Sequence, residues 1–246
     1  MSWFTDFANP SRFLSLSSKL LPWLWGIAAA ILAVGYYMAF FVAPEDYQQG
    51  QTVRILFVHV PFAWLALASY GLMTVASIGT LVWKHPLADV SAKAAAPLGA
   101  AFTLIGLLTG SFWGKPMWGT WWVWDARLTS FLVLFLMYLG LIALWNAVED
   151  PIRAGKAAAV LTLVGSINLP IIKFSVDWWN TLHQPASVFR FDGPKIHESI
   201  LVPLLLTALG MTVLFLALHM VAMRTEILRR RVRTLQLIEA SRAGDV

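Results

Sequence analysis

Cysteine is absent from the 246 residues. Disulfides, thiolate metal sites, Cys nucleophiles and thioether-linked cofactors are thereby excluded. Charge is scarce as well: Asp, Glu, Lys and Arg make up 13% of the chain, against about a quarter of a soluble domain. Hydrophobic residues make up 59%, which excludes a disordered chain and argues against a soluble enzyme. No HExxH or GxSxG occurs. Gly110-Ser-Phe-Trp-Gly114-Lys115 has three residues between its glycines where a P-loop has four, and Pro116 follows it, so no ATPase site is present.

The few charges are clustered and leave long uncharged runs. About 20 apolar residues cross a hydrocarbon core of about 30 Å. The sequence predicts an all-α integral membrane protein with six spans: Leu21–Ala43, Ile55–Trp83, Ala94–Gly114, Leu128–Val148, Ala157–Ile172 and Ser199–Met223. The fifth is short and holds Asn168 and Pro170, so it should be irregular or reach back toward Ile152. The first is too long for a signal-peptide core and is expected to be retained. Trp3, Phe4, Phe7 and Phe13 before it predict a short segment on the membrane surface.

Six spans place both termini on one side. If that side is cytoplasmic, inner segments carry Arg12, Lys19, Lys84, Lys93, Arg153, Lys156 and the six arginines from Arg224 onward. Outer segments carry Arg54, Lys115, Arg127, Lys173, Arg190 and Lys195. Twelve against six follows the positive-inside rule. The expectation is one domain, 1–246, with outer segments at 44–54, 113–127 and 173–198 and a basic cytoplasmic tail, 224–246. Apolar residues Ile227, Leu228, Val232, Leu235 and Ile238 make that tail an amphipathic helix. The arginine block reads as an orientation and surface signal, with nothing pointing to nucleic acid.

Of the five histidines, three lie toward the outer side: His59 at the start of the second span, His183 in the long loop and His197 at the mouth of the sixth span. Neutral imidazole is the commonest protein metal ligand. The same side gathers Trp113, Trp118, Trp121, Trp122 and Trp124, then Trp178 and Trp179, seven of thirteen tryptophans. An interfacial aromatic belt is one reading; a shelf for a planar apolar ligand is the other. If 118–125 were helical, Trp118, Trp121, Trp122 and Asp125 would share a face. Gly106, Gly110 and Gly114 recur every fourth residue, a pattern that lets another helix approach closely.

Trp118-Gly-Thr-Trp-Trp-Val-Trp-Asp-Ala-Arg-Leu-Thr-Ser130 resembles the WWD signature of haem-handling membrane proteins in bacterial cytochrome c maturation. With Val58-His59-Val60-Pro61, Leu182-His183-Gln184-Pro185 and six spans, the chain is similar to the CcmC family of System I along essentially its whole length. The resemblance implies haem b held without a covalent bond at the periplasmic face of the inner membrane. It implies His59 and His183 as axial ligands, Trp118, Trp121, Trp122 and Trp124 as a platform, and Asp125 and Arg127 closing the motif. It further implies an ABC-transporter pair, CcmA and CcmB, a small membrane protein, CcmD, and a periplasmic haem chaperone, CcmE, as partners. Whether the chain itself promotes covalent capture of haem by the chaperone is left open.

Read upward from the residues, Arg127 is the first candidate for a haem propionate because guanidinium offers a planar fork. Arg54 is the second. Asp125 would orient a neighbouring donor or Arg127. Pro61 falls near a helix start, where its missing N–H is cheap. Trp64 could lie under the ring, and His197 rivals His183 as a ligand. Three other readings stay open: a b-type cytochrome exchanging electrons with quinone, a ligand-free structural subunit of a transporter, and a channel for free haem.

Overall fold

The computed structural model describes residues 9–184, 187–188, 190 and 192–244. Trp3, Phe4, Phe7 and Pro185 lie outside them. Among the described residues the secondary structure is helical, with one isolated bridge between Asp46 and Gly50. Helix α1 spans Pro10–Tyr37, with Pro10 at its first position and the Asn9 side chain accepting from the Ser11 amide at 2.9 Å. It runs into a π-helical turn, Met38–Val42. A 3-10 turn at Gln51–Ile55 leads into α2, Leu56–Leu81. Then follow α3 at Ala88–Trp118, α4 at Ala126–Ala147, α5 at Pro151–Gly165, α6 at Asn168–Trp178 and α7 at Glu198–Gly244.

Six of these stretches are long and apolar enough to cross a membrane, and they match the six expected spans. The chain is an all-α, multi-pass membrane protein. The fifth span is built from α5 and α6 with a break at Ser166–Ile167. It reaches back to Pro151 and is irregular, as the polar residues within it foretell. The Asn168 amide donates to the Ser130 carbonyl of α4 at 2.9 Å, which satisfies polar groups at the break.

Pro61 departs from expectation. It is the sixth residue of α2 and fully buried, so it lies beyond the first turn, and the Phe57 carbonyl loses its usual amide partner.

The core forms where α2, α3 and α4 pack around Tyr70, Met73, Leu134 and Tyr138, all fully buried. The Tyr138 hydroxyl donates to the Ala66 carbonyl at 2.7 Å. Its ring stands against Gly99 of α3, where any methyl group would overlap it. A Gly99→Ala variant should therefore lose about 1–3 kcal/mol of stability, read as a lowered unfolding temperature in detergent. An unchanged unfolding temperature would show that the ring can move aside.

One end of the bundle holds the start of α1, the α2–α3 turn and the second half of α7. Arg224 donates to the Leu14 carbonyl and the Ser17 hydroxyl at 2.7 and 2.8 Å, and Arg231 reaches Ser11 at 2.7 Å. Beyond them residues 231–243 are exposed, so α7 projects about 20 Å past the bundle at 1.5 Å per residue. The expected tail helix is thus present, with Ile227 buried and Leu228, Val232, Leu235 and Ile238 exposed. The opposite end carries the segments 43–50 and 119–125 and the described residues of 179–197.

Candidate functional site

The second end is hollow. The first turns of α2, the last turns of α3, the start of α4 and the segment after α6 enclose a cavity of about 370 Å³. That volume falls in the ~300–1,000 Å³ range of small-molecule sites. His59 and His183 both line it, from parts of the chain more than a hundred residues apart.

His59 is held from α3. Its Nδ1 lies 3.1 Å from the Thr109 hydroxyl, and that hydroxyl donates to the Ile105 carbonyl at 2.7 Å. Since the hydroxyl proton is spent on the carbonyl, Thr109 accepts from Nδ1–H, and the lone pair of His59 sits on Nε2. The neighbouring position is Gly110, where a side chain would begin 3.0 Å from His59 Cε1. Trp113 packs edge-on to the imidazole at 5.7 Å and donates its indole N–H to Gln49 at 2.9 Å.

His183 is held by the motif itself. Its Nδ1 lies 3.2 Å from Asp125 Oδ2, and Trp118 packs edge-on at 4.9 Å. Asp125 also accepts from the Thr181 hydroxyl and, at 2.7 Å, from the Leu128 amide, where it caps α4. Burial pushes the Asp125 carboxyl upward, but the Thr181 and Leu128 donors together with His183 bring it below its ordinary value. Burial also dominates at His183 and holds it below the usual imidazole value, although Asp125 pulls the other way. Near neutral pH the pair is therefore a carboxylate and a neutral imidazole. Nδ1–H donates to the carboxylate, leaving Nε2 free, the arrangement that orients metal-bound histidines.

Trp118, Trp121 and Trp122 line the cavity beside these imidazoles, but not as one helical face. Helix α3 stops at Trp118 because Gly119 takes a left-handed conformation, φ +74°, and its carbonyl accepts from the Lys115 ammonium at 3.0 Å. Residues 119–125 are non-helical, so the indoles are arranged by a turn. Trp121 packs edge-on to Phe112, with the Lys115 ammonium 6.0 Å over its ring. Trp124 is 75% exposed; it packs against Trp122 and does not line the cavity.

Arg127 reaches the cavity wall, where Nε donates to Ser175 at 3.2 Å and Nη2 to the Ile172 and Lys173 carbonyls in the middle of α6 at 3.4 and 3.2 Å. Nη1 is left without a partner among the described residues. Asp125 thus orients His183 in place of Arg127. Arg54 lies outside the cavity lining, its Nε buried without a hydrogen-bond partner. Trp64 does line the cavity. His197 does not: it is exposed and bonded to Ser199 at 2.9 Å, closing the start of α7. Trp178 and Trp179 are exposed and outside the cavity.

The glycine repeat has a different use from plain helix packing. Gly106 admits the Phe131 ring, Gly110 the His59 imidazole and Gly114 the Trp118 ring, all within 3.0–3.1 Å of where a Cβ would stand. Thr109 and Thr181 were not singled out from sequence. Their pairing partners lie far along the chain or depend on a loop conformation, except that Thr181 is two residues from His183, a recurrent hydroxyl-turn spacing.

Among the described residues, no group of three or more His, Asp or Glu side chains could hold a metal ion. Two free Nε2 atoms suit a metal whose other positions are filled by its own ring, as in haem. The chain matches a family model described as CcmC, heme exporter protein C, over residues 3–238. It is 66% identical to the heme exporter protein C of Bradyrhizobium diazoefficiens over 237 residues, 96% of this chain and 90% of that protein. To the protein of the same name from Paracoccus denitrificans it is 48% identical over 231 residues, 94% and 95% of the two chains. The Escherichia coli K12 counterpart is 47% identical over 221 residues, 90% and 89%. On the whole-length match and these identities, the chain belongs to the CcmC, or heme exporter protein C, family.

Proposed function

We propose that this chain holds haem in the cavity between α2, α3, α4 and the loop after α6, and presents it there to a haem chaperone. The carrying observation is that two imidazoles, each bonded through Nδ1 to its own acceptor, line one indole-walled cavity. Haem is the cargo: His59 and His183 ligate its iron through Nε2, and the molecule is bound as haem b, without covalent capture. Trp118, Trp121 and Trp122 contact the ring, and Trp124 extends the aromatic surface outward. The Nη1 group of Arg127 meets a propionate, with Arg54 the second cation available at this end. The charge asymmetry between the two ends supports a periplasmic site in the bacterial inner membrane, with both termini cytoplasmic. In that arrangement the exposed indole rim faces the chaperone CcmE, and CcmA, CcmB and CcmD complete an ABC-transporter complex around the chain.

Titrating the purified full chain in detergent with haemin should give a saturable Soret band at one haem per chain. Acid has to protonate the imidazoles to release it. Since burial keeps His183 below the ordinary value of about 6.5, its neutral form and its ligation persist as pH falls through 6.5 and fail only below. Half-release above pH 6.5, or no saturation at all, would contradict the assignment.

A further inference from the structure

At the opposite end of the bundle α3, α4, α5 and α7 enclose a second, smaller recess of about 60 Å³. Four cations line it, Lys93, Arg229, Arg230 and Arg233, against the carboxylates of Glu149 and Glu226. Glu226 is fully engaged: Oε1 accepts from Lys93 at 2.9 Å and Arg230 at 2.8 Å, and Oε2 from Arg229 at 3.4 Å. Arg230 spends its other arm on Asp89 at 2.6 Å. Two donors are left over. The Arg233 guanidinium has no hydrogen bond or ion pair to the described residues. The Trp145 indole N–H is buried without a partner, in a residue only 7% exposed that lines this recess.

A buried N–H donor without an acceptor costs about 1–3 kcal/mol. No acceptor among the described residues meets it, and an acceptor entering the recess would satisfy it. Excess positive charge sets the sign of that acceptor. The apolar neighbours Val148, Pro151 and Ala154 continue the wall toward the ends of two membrane spans, α4 and α5. Basic pockets between spans at the arginine-rich side are where phosphate head groups are held.

We infer that this recess binds a phosphate oxyanion, to which the Trp145 indole N–H and the Arg233 guanidinium donate, and that an anionic phospholipid of the surrounding leaflet supplies it. The bound head group ties the last turn of α4 to the root of the projecting α7 helix. It is independent of the haem cavity, which lies at the far end of the bundle.

The test is native mass spectrometry of the full chain released from micelles containing phosphatidylglycerol, phosphatidylcholine or, with no lipid added, inorganic phosphate. The parent chain should retain phosphatidylglycerol selectively. Trp145→Phe removes the N–H while keeping an aromatic ring at that place, and Arg233→Gln alters an exposed helix position, so both variants should fold with parental circular dichroism. Each should retain about tenfold less, the scale of one hydrogen bond to a charged group. Retention of inorganic phosphate, lost in the same variants, with no preference among lipids, would keep the oxyanion site and assign its ligand to a free phosphate. Equal retention by parent and both variants, or no phosphate-bearing species retained, would overturn the site.

Discussion

A His183→Ala variant should hold haem more weakly by more than the ~10–100-fold that losing a metal ligand's supporting partner costs, because the ligand itself is gone. His59→Ala should do the same. In each the remaining imidazole leaves iron with one protein ligand, so the Soret and visible bands move away from those of the parent chain. Imidazole added to the solution should partly restore the parental spectrum, since the cavity retains the missing side chain's space. The two sites are equivalent in this respect although they are built differently. His59 is fixed by a helix neighbour, Thr109, and by the room left at Gly110, whereas His183 is fixed by a carboxylate at the start of α4. If either alanine variant keeps the parental bands, the corresponding residue is not a ligand.

The second large effect is expected at Asp125. It meets neither the iron nor the ring in this arrangement. It holds Nδ1–H of His183 and so presents Nε2 to the cavity. Asp125→Ala should weaken haem binding by about 10–100-fold and, by removing the cap on Leu128, should also cost about 1 kcal/mol of stability. Asp125→Asn separates the two roles. Its amide oxygen can still cap α4, so stability should return, while the lost charge leaves haem affinity between those of Asp125→Ala and the parent. Lower stability with parental haem affinity in Asp125→Ala would reduce Asp125 to a helix cap.

The spans were legible because charge is so sparse that each uncharged run stands alone, and even the fault in the fifth span was announced by Asn168 and Pro170. His59, His183 and the three indoles of the cavity wall were legible through the motif they belong to. What the sequence concealed is how those rings are held. A helical reading of 118–125 would put Trp118, Trp121, Trp122 and Asp125 on one face; Gly119 breaks that helix, and the same residues converge by a turn. Thr109 is fifty residues from the histidine it supports, and no local pattern marks such a pair. Gly106, Gly110 and Gly114 correctly signalled close approach, but what approaches is an aromatic or imidazole ring in each case. Arg127 lines the cavity, yet its bonds to the middle of α6 are tertiary and leave it one free arm, Nη1.

The central claim is that two neutral imidazoles meet one iron atom beside an indole wall. Electron paramagnetic resonance of the purified chain loaded with ferric haem tests it most directly. Axial ligation by His59 and His183 predicts a low-spin spectrum with the g values of two imidazole ligands, converted to high-spin in either alanine variant. A high-spin signal from the parent chain, or a low-spin signal that survives loss of both histidines, would contradict it.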